Sequence, residues 1–216
     1  MRRGLASILL GVVLCSCGPS TGNDIILCAG DSLTEAGYPS LLEKMLKKDG
    51  RRVKVLNYGR SGDTSGQYLR FLSRNRPQLE AQNPDFVLLM LGTNDVRLDG
   101  DHTPAPDFEK NMREIIRIFA EFRTRDGRSP RILLGTIPPV PEGIPFPFGP
   151  ESTRRAVEEI NPLIRAIAGD NKIPLADNYR LFSVSSPLLP DVHPSPEGYQ
   201  AMARNWRESL NPFLKK

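Results

Sequence analysis

Hydrophobic positions along this chain change period every dozen residues or so, and each change predicts a new element. Asp24 to Ala29 is a nearly continuous apolar run stopped by Gly30, the pattern of a buried strand. Leu41, Leu42, Met45 and Leu46 then recur at helical spacing after Pro39, and Gly50 closes that helix. Val53 to Leu56 predicts a second short strand, and Tyr68, Leu69 and Leu72 a second helix that ends before Pro77. Phe86 to Leu91 is the clearest strand. Phe108, Met112, Ile115, Ile116, Phe119 and Phe122 form one helical stripe, followed by a strand over Ile132 to Leu134. A further stripe, Val157, Ile160, Ile164 and Ile167, is interrupted by Pro162. A weak strand at Ile173 to Ala176 and a last helix from about Glu197 to Leu210 complete the series.

Strands that read as unbroken apolar runs and alternate with helices predict a parallel sheet covered on both faces. The expected fold is α/β, a three-layer doubly wound sandwich with about five strands and no internal repeat. Such sheets bind ligands beyond the carboxyl ends of their strands, so residues just after strands are where chemistry belongs. One segment fits neither element type. Ile137 to Pro150 carries Pro138, Pro139, Pro141, Pro145, Pro147 and Pro150 and predicts an extended loop after the fourth strand. Its Phe146 and Phe148 either line an acyl or aromatic pocket or pin the loop to the body.

The first residues follow a different logic. Arg2 and Arg3 precede an apolar run from Leu5 to Leu14, too short for a permanent membrane span and followed by small residues and cysteine. Leu14-Cys15-Ser16-Cys17 resembles the bacterial lipobox, which implies a signal peptide over 1–16, lipidation of Cys17 and a polar tether over 17–23. An ordinary secretory signal is the alternative. The expected location is the bacterial cell envelope, with the protein anchored to the membrane by lipid after secretion. Of the three cysteines only Cys28 would remain, in an apolar strand, as a small core residue without a disulfide.

Composition adds little to this picture: 39% hydrophobic and 25% charged residues suit one folded domain over 24–216. The net charge of +4 falls to +2, 27 basic against 25 acidic residues, once Arg2 and Arg3 are set aside with the leader. The one dense cluster, Lys47, Lys48, Arg51 and Arg52, sits where a helix ends and complements its dipole, so no nucleic-acid partner is expected.

Four strand ends carry polar residues in order: Gly30-Asp31-Ser32-Leu33, Gly59, Gly92-Thr93-Asn94-Asp95, and Asp191-Val192-His193. Acyl transfer needs a nucleophile, a base and donors aimed at a developing oxyanion. Ser32, on a strand-to-helix turn, suits the first role, though it would also suit a helix N-cap. Asn94 offers two amide donors without charge. Gly59 lets a backbone N–H approach a substrate, and as a bare glycine it reads equally as a turn. Of the two histidines, His102 lies in a polar loop with Asp101 and Thr103, which leaves His193 as the base. Asp31 and Asp95 read as structural residues that hold their turns.

In these blocks the chain resembles the SGNH (GDSL-type) hydrolases from Asp24 to the C-terminus. Asn57-Tyr58-Gly59-Arg60-Ser61-Gly62-Asp63-Thr64 looks like that family's second block, and His193-Pro194-Ser195-Pro196-Glu197-Gly198-Tyr199 is similar to its last. The resemblance implies catalytic Ser32, Asp191 and His193 and an oxyanion hole of Ser32, Gly59 and Asn94. The chain departs from the family where Pro190 stands three residues before the histidine, the usual place of the acid. Either Asp191 serves instead, or a backbone carbonyl orients the ring and a Ser-His dyad operates. With two histidines and no Gly-rich phosphate loop, neither a metal nor another cofactor is expected. The resemblance implies hydrolysis of a small-molecule ester or lipid, as a carboxylesterase or lysophospholipase-like enzyme. The alternatives are a carbohydrate O-acetyl esterase and a non-catalytic surface lipoprotein that retains the fold.

Overall fold

The computed structural model describes residues 22–184 and 186–214; the leader, Cys17 and the tether before Gly22 lie outside them. In chain order the elements are β1 (Asp24–Gly30), α1 (Ser32–Glu35), α2 (Tyr38–Lys48), β2 (Val53–Gly59), α3 (Ser65–Glu80), β3 (Phe86–Met90) and α4 (Ala105–Glu121). They continue with β4 (Arg131–Gly135), α5 (Pro150–Arg155), α6 (Asn161–Asp170), β5 (Leu175–Ala176), α7 (Asn178–Ser183) and α8 (Pro196–Leu210). The five strands form one parallel sheet in the order β2-β1-β3-β4-β5, the doubly wound α/β arrangement expected.

Strand alternation divides the core into two layers. Leu27, Ala29, Val87, Leu89 and Leu134 point to one face and pack with Tyr68 and Leu72 of α3 and with Phe108, Met112, Ile115 and Phe119 of α4. Ile26, Cys28, Leu88, Met90 and Leu133 point to the other and meet Tyr38, Leu42 and Leu46 of α2 and Met202 and Trp206 of α8. Each large apolar side chain so buried contributes about 1.5–3 kcal/mol. Cys28 is fully buried, and loss of solvation pushes its thiol up to about 12, so it stays a protonated core residue.

Three expectations need correction. The second helix does not stop before Pro77: α3 runs on to Glu80, burying Leu79, and Ala81 N–H donates to the Pro77 carbonyl. Proline's fixed φ is compatible with the helix, so Pro77 removes one backbone rung without ending it. Val157 does not belong to the core stripe; it is 42% exposed, while Ala156 and Ile160 are buried. A π turn over Ala156–Ile160 causes this, with Asn161 N–H donating to the Ala156 carbonyl. Pro162 has no N–H for the α-helical bond, and the widened turn just before it takes up the ring while shifting the buried face by one position. The second strand, finally, extends past Leu56 to Gly59, because its register with β1 continues to Gly30↔Gly59.

The sheet order reverses at β1, with β2 on one side and β3 on the other, so the carboxyl end of β1 is the topological switch point. Gly30 pairs with Gly59 and Met90, bringing the loops that follow three strands to one place.

Candidate functional site

Ser32 opens α1 immediately after β1, and Asp31 caps the helix by accepting from Leu33 N–H at 3.0 Å. The N-cap is therefore Asp31, which leaves the Ser32 side chain free of that duty. As the first residue of its helix, Ser32 has no intrahelical acceptor for its own N–H, and the helix dipole favours an anion there. His193 lies in the segment before α8, whose start is fixed by Ser195 capping Gly198 N–H and by Pro196 at the first turn. That segment sets His193 Nε2 3.0 Å from Ser32 Oγ, although the residues are 161 apart in sequence.

Asp191 accepts from the backbone N–H of His193 at 2.5 Å, and the same Oδ1 lies 3.4 Å from His193 Nδ1. The shorter segment left by Pro190 thus still brings a carboxylate to the ring. Both side chains are open to water, 48% exposed for His193 and 60% for Asp191, so their attraction is screened.

Asn94 follows β3 and is buried. Its Nδ2 donates to the Asp63 carbonyl at 3.0 Å, which uses one amide hydrogen, fixes the plane and leaves the second hydrogen available. The next residue, Asp95, accepts from Ser65 N–H and Oγ, joining the loop after β3 to the start of α3. Arg155, 2% exposed, braces the same loop by donating to the carbonyls of Asp95 at 2.7 Å and Thr103 at 2.5 Å. Asp31 holds its own turn as expected, whereas the Asp95 carboxylate reaches across to Ser65 and ties two loops together.

Gly59 requires correction as an oxyanion donor. Its N–H donates to Asn57 Oδ1 at 2.9 Å, so it is occupied. Glycine is needed there because a Cβ would lie 2.2 Å from the backbone nitrogen of Glu35 in α1. The open glycine of this block is Gly62, at φ +79°, where an added Cβ would meet nothing. It directly precedes the Asp63 carbonyl that holds Asn94, and no acceptor among the described residues takes its N–H. The sequence signal was available in Ser61-Gly62-Asp63-Thr64: Thr64 and Gln67 form a capping box that opens α3, placing Gly62 in the tight turn before it. Arg155 left no such signal, because its role depends on contacts with residues about 50 to 60 positions away.

Beneath Ser32, burial pushes the Asp31 carboxyl up to about 7, opposed by the Leu33 hydrogen bond and reinforced by the charge of nearby Asp95. Burial also raises Asp95. The folded state therefore holds the Asp31 proton to a higher pH than the unfolded chain does, and stability falls as pH rises from about 4 to 7. A gap of this size corresponds to about 4 kcal/mol. Asp31→Asn keeps the acceptor for Leu33 N–H without the charge. The variant should gain melting temperature relative to wild type across that window, with little difference at pH 4. Parallel melting curves from pH 4 to 8 that never diverge would contradict this account.

Of the two aromatics in the proline-rich loop, Phe148 packs on the core, while Phe146 is 73% exposed. His102 is exposed in its loop, with Nδ1 3.2 Å from the Arg97 carbonyl oxygen, remote in sequence from the Ser32–His193 contact. Cys17 lies outside the described residues.

With this geometry in place, comparison with known proteins is informative. The model of the GDSL-like Lipase/Acylhydrolase family matches residues 28–201. A multidomain esterase of Ruminococcus flavefaciens is 28% identical over 143 residues, 63% of this chain and 17% of that protein. An arylesterase of Vibrio mimicus is 41% identical over 97 residues, 40% of this chain and 46% of that protein. The chain thus spans less than half the length of either curated relative. Among solved structures, a lipase/acylhydrolase from Enterococcus faecalis superposes with a TM-score of 0.74 at 23% identity, over 89% of this chain and 97% of that one. An acetylxylan esterase from Geobacillus stearothermophilus gives 0.68 at 21% identity, over 88% and 95%. At such identities these two likenesses establish the fold.

Proposed function

This chain belongs to the GDSL-like Lipase/Acylhydrolase family, and we propose that it is an ester hydrolase that cleaves carboxylic esters through an acyl-enzyme on Ser32. The observation that carries this reading is the 3.0 Å contact between Ser32 Oγ and His193 Nε2. In the first half-reaction His193 takes the Ser32 proton as Oγ adds to the ester carbonyl, and then hands it to the departing alcohol oxygen. In the second, His193 takes a proton from water as the water adds to the acyl carbonyl, then returns a proton to Ser32 Oγ as the acid leaves. The oxyanion in both halves is assigned to Ser32 N–H, Gly62 N–H and the free amide hydrogen of Asn94.

Labelling with a fluorophosphonate followed by peptide mass analysis tests the nucleophile: the adduct belongs on the peptide containing Ser32, and an adduct elsewhere refutes the assignment. The finer substrate is proposed as a small carboxylic ester, consistent with the arylesterase likeness. The protein is further proposed to be a lipoprotein of the cell envelope through Cys17, on the strength of the Leu14-Cys15-Ser16-Cys17 sequence.

Asp191 is assigned to orient His193. A buried triad aspartate loses on the order of 10⁴ in kcat when changed to asparagine. Here the carboxylate is 60% exposed and held chiefly by a backbone N–H, so its field at the ring is screened. Asp191→Asn should lower kcat by about 10²-fold with KM little changed. A loss under about tenfold would mean that the imidazole is oriented without it and that the enzyme runs as a dyad.

A further inference from the structure

The catalytic residues and the start of the domain lie at opposite ends of the sheet. β1 begins at Asp24 and delivers Ser32 beyond its other end, a separation of about 20 Å or more for a seven-residue strand. Its first residues are also pinned. Arg125 Nη2 donates to the Asn23 carbonyl, its guanidinium lies against Gly22, and it pairs with Asp85 at 3.6 Å. Between Cys17 and Gly22 there are then only five residue steps, about 17 Å when fully extended.

The end of the domain that holds this clamp is basic. Segments 47–54 and 123–131, which lead into β2 and β4, carry nine Lys or Arg against two Asp. Counting Lys172 and the acids Asp24, Glu80, Asp85, Glu121 and Asp170 at the same end leaves ten basic against seven acidic side chains. Basic side chains near an anionic lipid surface each contribute about 1 kcal/mol of attraction.

From these observations, and resting on the lipid-anchor reading, we infer that the anchored enzyme turns its catalytic mouth away from its own bilayer. Its substrates are therefore esters carried by soluble or polymeric molecules such as acylated carbohydrate, and not the lipids of the membrane that holds it. To bring Ser32 down to that bilayer the tether would have to run past the whole length of β1, farther than five steps reach. Arg125 is the residue that shortens the leash.

The test uses the full chain purified with its lipid and placed on anionic vesicles containing nitroxide-headgroup lipid. A fluorophore is attached in turn through Lys172→Cys, at the clamp end, and through Phe146→Cys, in the loop after β4 at the mouth. The dye at 172 should be quenched by the nitroxide and the dye at 146 should not; equal quenching, or the reverse order, overturns the inference. In a second arm twelve Gly/Ser residues are inserted after Gly18. Hydrolysis of an ester lipid in the same vesicle should rise about tenfold or more while turnover of a dissolved ester stays constant. An unchanged rate on the vesicle ester, at the level of the dissolved ester, also overturns it. Mass analysis separates the two failures: Cys17 without lipid, or Cys17→Ser still membrane-bound, ends the anchor reading itself and this inference with it.

Discussion

Ser32→Ala should lower kcat by on the order of 10⁵-fold and abolish fluorophosphonate labelling, with His193→Ala close behind. In the proposed mechanism nucleophile and base act as one unit, because Oγ is a poor nucleophile until Nε2 accepts its proton across the 3.0 Å contact. Their losses should therefore not add: the double variant should be little slower than either single one. Residual turnover belongs to binding and the oxyanion donors. Steady-state kinetics on a dissolved aryl ester, with circular dichroism to confirm folding, provides the check. Ser32→Ala that hydrolyses the ester at the wild-type rate would remove Ser32 from the mechanism, and fully additive losses would show that the two residues do not act together.

The second large effect is expected at Asn94, where Asn94→Ala should cost about 10²- to 10³-fold in kcat with a small change in KM. The amide is preorganised: the Asp63 carbonyl fixes its orientation, burial shields it from water, and its neighbour Asp95 is tied to Ser65 and braced by Arg155. A donor held in place before the charge develops stabilises the transition state more than the ground state, which is why kcat rather than KM should move. Asn94→Asp gives a useful contrast, since it keeps the shape but puts an acceptor and a negative charge toward the oxyanion. It should be at least as slow as the alanine variant above pH 5. A change confined to KM would place Asn94 in substrate binding and not in the oxyanion hole.

Gly59 and Gly62 show where local sequence stops being sufficient. Both stand in the same block, and both are required to be glycine, for different reasons. At Gly59 the reason is the approach of α1, which leaves no room for a Cβ; at Gly62 it is a positive φ in an open turn. Nothing in the string of residues separates a crowded glycine from an open one. Pro77 and Pro162 show the same limit for helices. Proline weakens a helix locally, yet burial of Leu79 carried α3 past one, and a π turn accommodated the other.

What the sequence determined by itself is whatever follows from short-range periodicity and capping. Unbroken apolar runs such as Phe86–Met90 are buried on both faces and so imply a covered parallel sheet, and the polar residues that follow each run must then fall at one rim. Ser32 and Asn94 were legible for that reason; His193 follows no strand and was legible as one of two histidines, in a run similar to the family's last block. The tertiary structure alone decided which groups have spare hydrogen-bonding capacity there: that Gly59 N–H is taken by Asn57, that Asn94 spends one hydrogen on Asp63, and that Asp191 reaches His193 despite Pro190. It also decided that Arg125 holds Gly22 and Asn23 at the end of β1 opposite Ser32. Some of these are distances between residues remote in sequence, as for Asn94 with Asp63 and Arg125 with Asn23, and others are side-chain orientations within one loop, as for Asn57 with Gly59 and Asp191 with His193. Both are set by how layers pack and loops close, and periodicity along the chain contains no measure of them.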